Sequence, residues 1–230
     1  HDLSGLFVKS SLSVIDKLHL AEPVRAHRAF GHTKWIDSVL EGDVVSAQNY
    51  VRGQEFPIVL TRNFNIARQW LKRSARGTRR TGLLASSGAS RLRPYGIEVS
   101  AGFRKEVNFA QWFTAPKGDL RSSFALEVAA TEFESQGLEL DRTCVAWCWD
   151  LLLSSDGAVP RNLRKDVWKP ITKDRTRQYA INKYRVLLSR AREGMVIFCP
   201  EGEEDDATRS PNEMNSVADY FLACGVRSLD

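Results

Sequence analysis

Short apolar runs rich in β-branched residues alternate with segments of helical periodicity along most of the chain. Phe56-Pro57-Ile58-Val59-Leu60-Thr61 reads as a strand buried on both faces, and Ile66, Ala67, Trp70 and Leu71 then recur at helical spacing within Asn65 to Lys72. Gly82 to Ser86 is a second strand, Phe124 to Ala130 a third, Thr143 to Trp149 a fourth and Met195 to Cys199 a fifth. A strand exposed on one face would alternate apolar with polar residues, whereas these runs are continuous. Continuous runs separated by helices indicate an α/β fold with a mostly parallel sheet and helices on both faces.

The remaining segments fit around that sheet. A helical lead-in over residues 1–50 precedes one α/β domain over residues 51–230, and residues 151–176, rich in Pro, Lys and Asp, read as an irregular insertion at a sheet edge. Met214, Val217, Tyr220, Phe221 and Cys224 share one face of a terminal helix from Asn212 to Cys224. With 230 residues, 43% of them hydrophobic, the chain can bury a core without disulfides or metals. No apolar run approaches the roughly 20 residues of a membrane-spanning helix. The first residues lack the basic and apolar regions of a signal peptide, and the missing initiator Met is expected of a fragment or processed product. Cys144 and Cys148 stand four apart, Cys199 and Cys224 stand alone, and no His has ligand spacing to them. No zinc site is therefore expected. Four buried, reduced thiols fit an intracellular, cytoplasmic protein.

Charge is uneven. The chain carries a net +5, yet no acidic residue falls between Glu55 and Glu98, where Arg62, Arg68, Lys72, Arg73, Arg76, Arg79, Arg80, Arg91 and Arg93 lie. Such a block suits a polyanionic partner whose phosphates it neutralises, and equally suits a solvated loop and helix face.

Two segments carry the most specific chemistry. In Thr131-Glu132-Phe133-Glu134-Ser135-Gln136-Gly137-Leu138-Glu139, a strand-terminal Thr, a Gly and a carboxylate follow a strand, which places them at the carboxyl edge of the sheet where α/β folds bind ligands. Gly137 is equally a candidate helix C-cap and Glu139 a candidate surface charge. In Tyr184-Arg185-Val186-Leu187-Leu188-Ser189-Arg190-Ala191-Arg192-Glu193-Gly194, Tyr184, Leu187, Leu188 and Ala191 form an apolar helical stripe, with Gly194 ending the helix. Arginines there either snorkel at the surface or clamp a transferring phosphoryl group.

Together these segments resemble motifs V and VI of superfamily-one helicases, usually T-x-H-x-x-K-G-L-E and Y-V-A-L-T-R-A, with Phe133 for His, Gln136 for Lys and Ser189 for Thr. The variant with Gln before Gly-Leu-Glu resembles the Schlafen-like DNA/RNA helicase domain family. Leu20 to Arg25 is similar to motif IV, and Gly82 to Ala89 to the strand that follows it. The four segments appear in the expected order between about Leu18 and Val226.

The resemblance implies a RecA-like domain of the P-loop NTPase type, the second half of a helicase. ATP with Mg²⁺ would be the cofactor. Arg25 and Arg190 would approach the γ-phosphate, Arg190 as arginine finger, while Glu139 would bond the ribose with Gly137 allowing close approach. Thr131, with Arg62 and Ser86, would touch single-stranded DNA or RNA. The chain has no G-x-x-x-x-G-K-[ST] loop and no D-E-x-x pair after an apolar strand. A first RecA-like half of the same parent protein, carrying the Walker A loop and the metal ligands, is the implied partner, and the chain alone is expected to be inactive. The alternative is a non-catalytic RecA-like module that binds nucleic acid or protein. A hydrolase built on Ser86 or Ser87 lacks the G-x-S-x-G elbow, and all four His precede those serines; His27 and His32 read as helix-surface residues.

Overall fold

Strands β1 (Ile58–Thr61) and β2 (Thr81–Ala85) are buried at every position, so layers cover the sheet on both faces. The computed structural model describes residues 26–52, 56–77 and 79–230, with side chains from residue 31 onward. Arg25 and the rest of the motif IV-like segment lie outside the described residues. With β3 (Ala129–Ala130), β4 (Leu140–Ala146), β8 (Ala191–Phe198) and β9 (Arg227–Ser228), the two strands form a six-stranded parallel sheet of order β3-β2-β4-β8-β1-β9. One row of partners runs Leu83, Cys144, Val196, Val59 across its centre. This is an α/β fold consistent with a RecA-like arrangement.

Helix α3 (Phe64–Ser74) starts where Asn63 accepts from the amides of Asn65 and Ile66, and it packs on β1, β2, β4 and β8 through Ala67 and Leu71. Helix α7 (Pro211–Ala223) has Ser210 as N-cap and Pro211 in its first turn, and buries Met214, Val217, Tyr220 and Phe221, as its periodicity requires. Trp147, at the end of β4, packs against Tyr184 at 4.3 Å and Phe221 at 4.8 Å between ring centroids. Among the described residues, helices α1 (Ala26–Glu41) and α2 (Val44–Val51) precede the sheet, and Trp35, Ile36, Val39 and Leu40 join the same core.

Four details depart from expectation. The insertion is ordered: β5 (Leu151–Ser154), β6 (Gly157–Arg164) and β7 (Val167–Pro170) form a separate antiparallel meander. Its second turn puts both Lys165 and Asp166 at positive φ, as a type I′ hairpin demands. Prolines and exposed charges hid these strands because one side of the meander faces water.

Of the expected third strand only Ala129–Ala130 is extended; a 3₁₀ turn over Ser123–Ala125 and Leu126 at φ +60° take up its start. Gly194 does not end the motif VI helix. That helix, α6 (Asp174–Leu188), begins ten residues before Tyr184 and closes at Ser189, while Gly194 sits inside β8 at a register shift. There a Cβ would meet Pro57 at 2.7 Å and φ is +154°, so only glycine fits.

His32 is buried rather than on a helix surface. Its ring stacks on Phe56 at 4.1 Å, and its Nε2 has no hydrogen-bond partner. Burial lowers its pKa to about 4. The folded state therefore holds neutral His32 while the unfolded chain takes up a proton below its ordinary pKa, so stability falls as pH drops from about 6.5 towards 4. The expected extra loss between pH 7 and pH 4 is about 3 kcal/mol. Urea titrations at the two pH values should show it in the wild type and not in His32→Leu. Equal losses in both proteins would exclude it.

Candidate functional site

The sheet register divides the sequence-predicted residues between opposite edges. Ala130 pairs with Leu84 near the carboxyl ends of the strands, whereas Leu140 pairs with Ala191 at the amino ends of β4 and β8. The segment from Thr131 to Glu139 thus crosses the layer. Its start lies at the carboxyl edge as expected, but Gly137 and Glu139 lie at the amino edge beside Arg190.

At the amino edge Arg190 joins the two motif segments. Its Nε donates to Val186 O at 3.0 Å and Nη2 to Ser189 Oγ at 2.9 Å. Its Nη1 reaches across to Ser135 O at 3.3 Å and Leu138 O at 3.2 Å. Four of the five guanidinium donors are so engaged. Burial lowers the Arg190 pKa, and the nearby Glu139 carboxylate acts against that shift. Glu139 also pairs with Arg192 at 3.5 Å. Gly137, at φ +82°, faces open space, with no heavy atom within 4 Å of a built Cβ. A ligand can approach the loop closely there.

The carboxyl edge holds three linked groups. The hydroxyl of Thr131 donates to Glu134 at 2.5 Å, and Arg104 bonds the other Glu134 oxygen at 2.6 Å while its guanidinium lies over the Phe133 ring. Burial raises the Glu134 pKa, but hydrogen bonds from Thr131 and Arg104 outweigh it and the net shift is downward. Phe133 itself is 61% exposed. Next along the edge, Ser87 gives its amide and hydroxyl to Glu132 at 2.9 and 2.5 Å, and Lys183 donates to Ser87 Oγ at 3.2 Å. Below them Asp150 accepts from Ser86 Oγ at 2.6 Å and from Tyr184 OH at 2.5 Å. Burial raises the Asp150 pKa despite both hydroxyls. Any side chain at position 88 would meet this carboxylate, since a Cβ on Gly88 would lie 2.7 Å from Asp150 Oδ2.

Thr131 and Ser86 are themselves buried, with their hydroxyls committed inside the protein, so neither offers a surface to a strand as it stands. The exposed groups beside them are Phe133 and the half-exposed Ser87. Arg62 closes the ends of β1 and β8, donating to the carbonyls of Cys199 at 2.7 Å and Pro200 at 3.0 Å. The basic run is likewise used internally. Arg68, Arg79, Arg91 and Arg93 pair with Glu127, Glu193, Asp166 and Glu98, and Arg80 bonds Ala115 O between the Phe113 and Phe124 rings. Lys72, Arg73 and Arg76 make no side-chain ion pair or hydrogen bond among the described residues, so the block is a set of internal ties with a small solvated remainder. Asp150, Glu132, Arg104 and Lys183 escaped the sequence reading. The one available signal was Asp150, a lone acid in the apolar run Cys144 to Leu153.

The four cysteines are buried free thiols. Among the described residues no group of three or more His, Cys, Asp or Glu is placed to hold a metal ion, and no helix is long and apolar enough to cross a membrane.

A family model described as Schlafen group 3, DNA/RNA helicase domain, matches residues 3–201, most of the chain and both motif segments. The chain belongs to this Schlafen helicase-domain family. No curated protein and no solved structure matches it. In this Schlafen domain, α7 and β9 follow the matched region, and α7 still belongs to the common core.

Proposed function

We propose that this domain is the second lobe of an ATP-driven motor acting on single-stranded DNA or RNA. The observation that carries this is the contact of Arg190 with the carbonyls of Ser135 and Leu138. It makes one unit of two segments more than 50 residues apart, and that unit unites a cation, a carboxylate at Glu139 and an unobstructed glycine at Gly137. Such a set fits a nucleotide: Arg190 has one donor left for a phosphoryl oxygen, Glu139 can accept from ribose hydroxyls, and Gly137 admits close approach. ATP with Mg²⁺ supplies the free energy of the cycle when bound between this lobe and a first lobe that carries the phosphate loop and metal ligands. Arg25 is proposed to join Arg190 at the γ-phosphate. The strand would run across the opposite, carboxyl edge, over Phe133 and the surface around Thr131, Ser87 and Arg62.

The test is ATP turnover with single-stranded oligonucleotide present, in the chain alone and in the parent protein that supplies a first lobe. Turnover stimulated by nucleic acid is expected only in the latter. Turnover by the isolated chain would sink the half-site assignment.

A second function is favoured by one fact, the near-complete use of the Arg190 donors inside the protein. On that basis Arg190 is a structural clamp, and the domain binds nucleic acid or protein without ATP chemistry.

A further inference from the structure

The meander, α6 and the turn after β2 enclose a cleft of about 510 Å³ at the carboxyl edge, a size within the ordinary range of ligand sites. Thr176, Tyr179 and Lys183 face it from α6, three and four residues apart and therefore on one side of the helix. Ser87 and Ser90 face it from the β2 turn, and Arg164 from β6. At its floor the charges are already matched: Asp150 is held by Ser86 and Tyr184, and Arg161 by a two-point pair with Glu213 at 2.6 and 2.8 Å. At its mouth one cation is not matched. Arg164 has no ion pair among the described residues, and Lys183 shares itself between Ser87 and, at 3.6 Å, Glu132.

Tyr179 is the unusual member. It is 59% exposed and adds nothing to the core, yet Arg175 braces it, with the guanidinium 5.7 Å from the ring centroid and Nη2 3.5 Å from the hydroxyl. Phe133, farther along the same edge, is exposed and braced by Arg104 in the same way. Ser87 and Glu132 lie between the two arrangements, bonded to Lys183 on one side and adjacent to Phe133 in the chain on the other. Hydroxyls, an unpaired cation at Arg164, the Lys183 ammonium and a braced, exposed aromatic ring are the combination that holds a base by stacking and its phosphates by charge. Charged and hydroxylic groups share the walls with Leu163, Trp168 and Ile171, and the exposed, braced ring beside an unpaired cation is what favours nucleic acid as the occupant.

We infer that this cleft binds one nucleotide of a single-stranded nucleic acid, with Tyr179 stacking on the base and Arg164 and Lys183 facing the flanking phosphates. The inference rests on the nucleic-acid function proposed above and extends the strand's path beyond the motif V loop to the meander.

The measurement is fluorescence anisotropy of the 230-residue chain with labelled oligo(dT) and oligo(U) of about 12 nucleotides. Tyr179→Ala should weaken binding by about 5- to 100-fold, the usual range for losing one stacked base, and Tyr179→Phe should bind like the wild type. Arg164→Ala should weaken binding and lower the slope of log affinity against log salt by about one. Ultraviolet crosslinking of 4-thiouridine oligonucleotide should label Tyr179 or its neighbours on α6. If Phe133→Ala weakens binding while Tyr179→Ala leaves it unchanged, the cleft is not on the path and the motor function stands. If the wild type binds neither oligonucleotide, both fail together. Because Tyr179 lies on the surface, its variants should keep the wild-type unfolding temperature, and a large drop would assign it a structural role instead.

Discussion

Arg190→Ala is expected to lower nucleic-acid-stimulated ATP turnover, measured with the proposed first lobe present, by about 10³-fold or more, the effect of removing an arginine that stabilises charge developing on a γ-phosphate. The same substitution should cost about 1–3 kcal/mol of folding stability, because the carbonyls of Ser135 and Leu138 lose their donor in a half-buried setting. The two readouts separate the two roles. A finger gives both losses, and turnover stays low at temperatures where the variant is fully folded. A clamp gives the stability loss alone, with turnover restored once the variant is cooled into its folded range. Arg190→Lys sharpens the contrast. A lysine keeps the charge but not the fork that spans Val186, Ser135 and Leu138, so even a motor that tolerates a point charge loses the shared geometry of the two segments. Unchanged turnover in Arg190→Ala would remove the finger assignment and leave Arg190 as a structural clamp.

The largest stability effect is expected at Asp150. Asp150→Ala should destabilise the chain by about 3 kcal/mol or more, since it strips an acceptor from two buried hydroxyls, those of Ser86 and Tyr184, and leaves a void under Gly88. Chemical denaturation at pH 7 measures this directly. Asp150→Asn, which keeps the volume and one carbonyl acceptor, should lose roughly half as much. The pH dependence has a definite sign. Burial holds the folded-state pKa of Asp150 above its unfolded value, so the folded chain binds the proton more tightly and stability is withdrawn as pH rises from the ordinary carboxylate range through the raised value. Asp150→Asn should remove that decline. This runs opposite to His32, whose lowered pKa withdraws stability as pH falls. A wild-type protein that tolerates Asp150→Ala without a shift in its denaturation midpoint would show that the carboxylate is not a structural hub.

Much of this architecture is legible in residue order. Ile58 to Leu60, Leu83 to Ala85 and Val145 to Ala146 form buried parallel strands because their apolar runs are continuous, and the α7 stripe from Met214 to Phe221 is buried because its spacing matches a helix turn. The meander was not legible. Pro160 and Pro170 argue against strands locally, and the pairing of β5 with β6 is a contact made after the turn at Ser155-Asp156 closes. The Asp156-Gly157 step at the end of that turn, between two stretches with apolar residues, was the signal available. Position in the sheet was misread for Gly137 and Glu139 because a loop's starting point does not say how far it runs before its next strand begins.

Residue order thus determines most element types, the family and the presence of an arginine, a carboxylate and a glycine suited to a nucleotide, since burial period and motif spacing are properties of neighbours along the chain. Which of those groups remain available is decided only in three dimensions. A charge's partner can lie anywhere in the sequence, as Asp150 lies 64 residues from Ser86 and Arg190 lies 55 from Ser135. The basic run from Arg62 to Arg93 shows the consequence: it reads as one polyanion-binding block, and packing spends most of it on carboxylates and carbonyls within the domain.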